Sequence, residues 1–202
     1  MDGPAALITA TIWAYWFGVG VMIVRVRRHT HRNVGVLPEQ QVERFMWFVF
    51  VPLVVAWCAL PWLAQQRTAG WLALPAFAHA PAYEALRWLA AAVGVIALAA
   101  TVKCWRRMGK DWRMAVTAEP DQALITDGLF ARIRHPIYAF SILLMLCTLV
   151  VVPTLPMLVA AVVHLVMFVS KARNEERHML AVHGDGYARY LARTGRFVPR
   201  MR

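Results

Sequence analysis

The chain has 202 residues, of which 60% are hydrophobic and only 16% charged, with a mean hydropathy of +0.50. That excess of apolar residues cannot be buried in a soluble core of this size, because small domains keep much of their surface wet. Disorder is excluded on the same ground, and the three scattered cysteines exclude a disulfide scaffold. An integral membrane protein remains.

Taken in chain order, Gly3 to Val24 and Phe45 to Gln66 are each 22 residues without a charge. A spanning helix needs about 20 apolar residues, so both qualify. Trp88 to Val102 is 15 residues, and qualifies if Arg87 and Lys103 snorkel outward. Between the second and third runs, Trp71 to Pro75 reads as an interfacial segment. Pro136 to Ser170 is 35 residues, too long for one helix and short for two. Pro153 and Pro156 divide it into a helical hairpin whose arms are roughly 22–26 Å long, so its tip is expected to stop short of the far side. No internal repeat or low-complexity tract is apparent. The expected fold class is an all-α integral membrane protein of five membrane helices, the last two forming the hairpin.

Lysine and arginine set the orientation. Twenty of the 22 lie in segments 25–44, 103–135 and 171–202, leaving only Arg67 and Arg87 elsewhere. The N-terminus is expected outside and the C-terminus in the cytoplasm. The net charge of +11 follows from this asymmetry, so nucleic acid is not an expected partner, whereas anionic membrane lipids are. A cleaved signal peptide is not expected either, because the basic cluster follows the first apolar run. Two regions emerge: 1–114, with three membrane helices, and 115–202, with the polar motifs.

Chemistry concentrates on the inner side. Thr126-Asp127-Gly128 is a turn signal. Arg134 and His135 precede Pro136, which suits the first position of a helix. The free N–H groups of that helix start suit an anion, although a cap facing lipid phosphates fits the spacing equally well. Lys171, Glu175 and Glu176 lie where the hairpin returns to the same side. Carboxylates at a membrane exit are costly unless employed, which favours function over a solvated face. Tyr187 and Tyr190 share one face of a short helix broken off by Gly184 and Gly186; interfacial anchoring is the favoured use, with a pocket lid as the alternative. His164 serves either a function or a hydrogen bond to a neighbouring helix. His29 and His31 lack further ligands, and Cys58, Cys104 and Cys147 have no metal-ligand partner, so no metal is expected.

Arg134-His135-Pro136-Ile137-Tyr138, then Glu175-Glu176, then Gly184, Tyr187 and Tyr190, resemble the isoprenylcysteine carboxyl methyltransferase and phospholipid methyltransferase family. Leu124 to Phe130 also matches a stretch of that family. The resemblance covers about residues 115–202. It implies an integral membrane methyltransferase that uses S-adenosyl-L-methionine on a lipophilic or lipidated acceptor; the Ala/Arg-rich composition points to a bacterial inner membrane, and the Lys/Arg distribution to a cytoplasmic active site. It places Gln122, Ala123, Leu124, Ile125 and Phe130 at the adenosine end of the cofactor. It places His135, Pro136, Ile137, Tyr138 and Glu175 against the cofactor, and Arg134 completes that set. Lys171 occupies the position of a substrate-linked arginine but lacks its bidentate fork. Phe140 stands where a glycine is usual and narrows the acceptor space, and Tyr187 completes the substrate-facing set. A thiol or amine acceptor would need deprotonation, for which His135 and Glu176 are the candidates. The alternatives are an NADPH-dependent membrane reductase of the sterol type and a non-enzymatic scaffold that would tolerate Glu175→Ala.

Overall fold

The computed structural model describes residues 2–30, 34, 36, 40–67, 69–115 and 124–200. The described residues form helices and loops. In chain order the long helices are α1 (Gly3–Thr30), α2 (Gln41–Gln66), α3 (Pro81–Met108), α4 (Pro136–Val151) and α5 (Leu155–Arg193). Four of them, all except α4, are long and apolar enough to cross a membrane; α4 is a shorter apolar helix. Each expected apolar run therefore lies in a helix, and the helices extend into the polar flanks.

Local signals explain the ends. The Asp2 carboxylate accepts a hydrogen bond from the Ala5 N–H at 3.0 Å and caps α1, whose last turn carries Arg27 and Arg28. Proline stands in the first turn of α3, α4 and α5, where its missing N–H costs nothing. The 39 residues of α5 span about 58 Å, nearly twice a ~30 Å hydrocarbon core, so its polar second half must lie beyond the apolar layer. Gly184, at φ +49°, is the one break inside α5; Gly186 is helical and does not act as a second breaker.

The packing pattern suits lipid. Phe17, Phe48 and Ile96 are 76%, 79% and 67% exposed on the outside of the bundle, while the buried face of α3 carries Ala90, Ala91, Gly94 and Ala97. Small residues let helices approach closely where lipid supplies no hydrophobic drive for association. At Gly94 a Cβ would come within 2.7 Å of Ile8 Cδ1 and 3.1 Å of Leu144 Cδ1, so α1, α3 and α4 meet there. Buried polar groups bridge helices as well. Trp57 Nε1 donates to Thr148 Oγ1 at 3.1 Å, and His164 Nε2 lies 3.2 Å from Ser141 Oγ. His164 thus bonds to its neighbouring helix, the second of the two uses its position allowed.

One end of the bundle is closed by Arg87, which is 1% exposed. Its guanidinium donates to Asp2 Oδ2 at 2.7 Å and to the Val151 carbonyl at 2.8 Å. Asp2 also donates its backbone N–H to Gln65 Oε1 at 3.1 Å, and Tyr83 donates to the Val150 carbonyl at 3.1 Å. This corrects the expectation that Arg87 snorkels outward. A carboxylate at the start of α1 and the carbonyl end of α4 supply an inward partner for the charge. The same contacts seat the carbonyl end of α4 against the first two turns of α3.

Candidate functional site

The opposite end is built differently. The chain reaches α4 through a single tight helical turn, Gly128–Ala131, and then runs beside the C-terminal segment. Arg134 N–H donates to the Gly195 carbonyl at 2.9 Å, His135 N–H to the Arg196 carbonyl at 3.1 Å, and Gly195 N–H to the Arg132 carbonyl at 3.1 Å. This backbone strap fixes Arg134 and His135 immediately before α4. Gly195 is required for space, since a Cβ there would lie 1.8 Å from the Val198 carbonyl oxygen.

Glu176 ties the strap to α5. It is buried, accepts from Arg134 Nε at 2.9 Å and from Arg196 Nη2 at 2.6 Å, and lies 3.4 Å from His135 Nε2. Arg134 also donates to the Thr194 carbonyl. The Arg134 guanidinium therefore holds the strap and Glu176 together. Glu175, one residue earlier, faces the other side of His135. Its Oε2 lies 3.4 Å from Nδ1, and its Oε1 accepts from the Tyr138 hydroxyl. The Tyr138 ring stacks parallel to the His135 ring at 5.3 Å between centroids.

Burial pulls the His135 pKa down, but the carboxylates of Glu175 and Glu176 outweigh it and hold the value above that of ordinary imidazole. His135 is thereby biased toward imidazolium. Its Nε2 is buried and makes no hydrogen bond.

A cavity of about 230 Å³ opens beside this ring. Leu124, Ile125, Phe130, Arg134, His135, Pro136, Ile137, Tyr138, Lys171, Glu175 and Tyr187 all line it. Phe140 and Glu176 do not: Phe140 packs against the apolar core, and Glu176 is enclosed by its arginines. Gln122 and Ala123 lie outside the described residues. Lys171 donates to the Met114 carbonyl and holds its ammonium 5.9 Å from the Tyr138 ring centroid. Tyr187 and Tyr190 are both 3% exposed, and the Tyr190 hydroxyl donates to the Phe130 carbonyl at 2.6 Å. These rings form a wall of the cavity, which corrects the reading of both as interfacial anchors. Burial under the strap explains the difference.

The cavity continues away from His135 into an aromatic arm. Tyr15 and Trp16 of α1, Phe50 of α2, Trp105 of α3 and Phe168 of α5 line it. Helices α1–α3 thus supply one wall, a part that their apolar sequences did not single out. His178, three residues after Glu175 on α5, also lines the cavity and was not among the expected site residues. The i, i+3 spacing from Glu175 was the available signal.

A helical membrane protein with a cavity that is polar at its strapped end and aromatic at its inner end is the class that this fold and site define. Residues 88–181 match the sequence model of the isoprenylcysteine carboxyl methyltransferase (ICMT) family. A solved structure of a eukaryotic intramembrane Ras methyltransferase, ICMT, shares the fold with a TM-score of 0.63, covering 98% of this chain and 68% of that one at 17% identity. Comparison with curated protein sequences finds no match. Motif order and the family match thus agree on a likeness to the ICMT family, and the solved structure shares its fold.

Proposed function

We propose that the chain transfers a methyl group from S-adenosyl-L-methionine to a lipophilic acceptor at the cytoplasmic face of a bacterial inner membrane. The observation that carries this reading is the two-ended cavity: polar and cationic at His135, aromatic and apolar between α1, α2 and α5. The residues fit the cofactor. The His135 ring, biased toward imidazolium, and the free N–H groups at the start of α4 suit its carboxylate. Glu175 suits its amino or hydroxyl groups, and the rings of Phe130 and Tyr138 suit its adenine or its sulfonium charge. When bound, the cofactor supplies an activated methyl group for in-line displacement.

The chain's own residues position and desolvate. His135 is held by the strap, by Tyr138 and by two carboxylates, so little reorganisation is needed when an anion docks. The aromatic arm excludes water from the acceptor's apolar body. Lys171 and Tyr187 meet the acceptor's head, and region 1–114 encloses its tail. Geometry argues against His135 and Glu176 as general bases. His135 is biased toward its protonated form, and Glu176 is committed to Arg134 and Arg196. Glu176 is a positioning residue. A carboxylate acceptor, which needs no base, fits this arrangement better than a thiol or amine.

The test is transfer of a tritiated methyl group from S-adenosylmethionine by the detergent-purified protein to a saturated fatty acid, thiol and amine of equal chain length. Protein-dependent label in at least one organic product, strongest for the acid, is expected. Absence of transfer to all three, with oxidation of NADPH in a parallel assay, would replace this reading by the reductase.

A further inference from the structure

We infer that His178 binds the nucleoside end of the cofactor. The inference rests on the methyltransferase reading and adds a contact outside the motifs that suggested it. Three observations converge. His178 lines the same cavity as His135 and Glu175. Its Nε2 is buried and has no hydrogen-bond partner among the described residues. Several polar groups lining the same cavity already have partners: Tyr138 in Glu175, Lys171 in the Met114 carbonyl, Tyr190 in the Phe130 carbonyl, and Arg134 in Glu176. A buried imidazole nitrogen left without a partner costs free energy that a ligand atom would recover.

Position along α5 selects which part of the ligand. Phe168 marks the aromatic arm, Glu175 the level of His135, and His178 lies one turn further on. At about 1.5 Å per residue, His178 sits roughly 15 Å along the helix from Phe168. That sets it apart from the aromatic arm and from an acceptor's apolar tail. It is instead at the end shared with Tyr187 and Tyr190, where Phe130, Leu124 and Ile125 gather. An adenosine moiety offers ribose hydroxyls and ring nitrogens, and either can pair with an imidazole nitrogen.

The experiment is calorimetric titration of the detergent-purified full chain with S-adenosylhomocysteine and, separately, with 5′-methylthioadenosine, which lacks the amino-acid end. Both are compared in wild type, His178→Phe and His178→Gln. His178→Phe is expected to weaken both ligands about tenfold, the size of one lost hydrogen bond. His178→Gln, which keeps a polar nitrogen at similar reach, is expected to remain within about threefold of wild type. Equal affinities in wild type and His178→Phe would overturn the inference, as would a loss confined to S-adenosylhomocysteine. If His178→Phe fails to fold, His178→Ala takes its place under the same criteria. Failure of folded wild type to bind either ligand would instead sink the methyltransferase reading.

Discussion

Each end of the helix bundle buries an arginine against a carboxylate, and the two ends use that pair differently. At one end Arg87 meets Asp2 and the carbonyl end of α4, and the buried atoms left unbonded in that region, Gln65 Nε2 and Thr154 Oγ1, do not line the cavity. At the other, Arg134 and Arg196 hold Glu176, but His135 Nε2 and His178 Nε2 remain buried and unbonded beside a cavity. Buried charge pairs away from the cavity fasten helices, and what sets the strapped end apart is that its unbonded atoms face a cavity. Clusters that leave atoms over beside a cavity are the places to look for a ligand.

The largest effect is expected from Glu176→Ala. It leaves Arg134 and Arg196 without their shared carboxylate and frees the strap. Breaking a buried pair from one side costs about 3–5 kcal/mol, so thermal unfolding in detergent should occur far lower, and S-adenosylhomocysteine binding should vanish with it. Arg87→Ala should destabilise by a similar order, about 3 kcal/mol. Below its own unfolding temperature, however, it should bind S-adenosylhomocysteine as wild type does. If Arg87→Ala abolished binding in a folded protein, the division between a fastening end and a binding end would fail.

A smaller effect separates the two ends by pH. His135 has a raised pKa in the folded protein. Its stabilising contribution is fully present below its unfolded value of about 6.5 and is lost as pH rises through the higher folded value. Stability and affinity for an anionic ligand should therefore both fall with rising pH above neutrality, and His135→Gln should flatten both profiles. Melting and binding curves collected across that range in both proteins would check it. The smallest effect is expected at Asp127, whose exposed pair with Arg107 at 2.5 Å links the loop before α4 to α3. Asp127→Asn should change neither melting nor binding measurably, because exposed ion pairs contribute little.

The helices were legible because apolar runs and flanking prolines are local signals. So were the cavity residues from Leu124 to Tyr138, which are contiguous or follow the hairpin. What escaped was set by pairing between distant positions. Arg87 and Asp2 are 85 residues apart, so nothing local marks Arg87 as buried. The strap from Thr194 to Arg196 covers Tyr187 and Tyr190 only after the chain has folded back on Arg132 to His135. His178 carries no motif of its own and becomes notable only through an unbonded nitrogen. The aromatic arm was hidden because Tyr15, Trp16 and Phe50 lie in helices where aromatic residues are expected on any face.

Binding of S-adenosylmethionine at the strapped end through His135 is the proposal on which the methyltransferase reading turns. The most direct measurement is calorimetric titration of S-adenosylhomocysteine into detergent-purified wild type, His135→Ala and Arg87→Ala at a temperature where all three are folded. Matching binding by wild type and Arg87→Ala is expected, with its loss in His135→Ala. Binding by His135→Ala as tight as wild type, or no binding by folded wild type, would contradict the proposal.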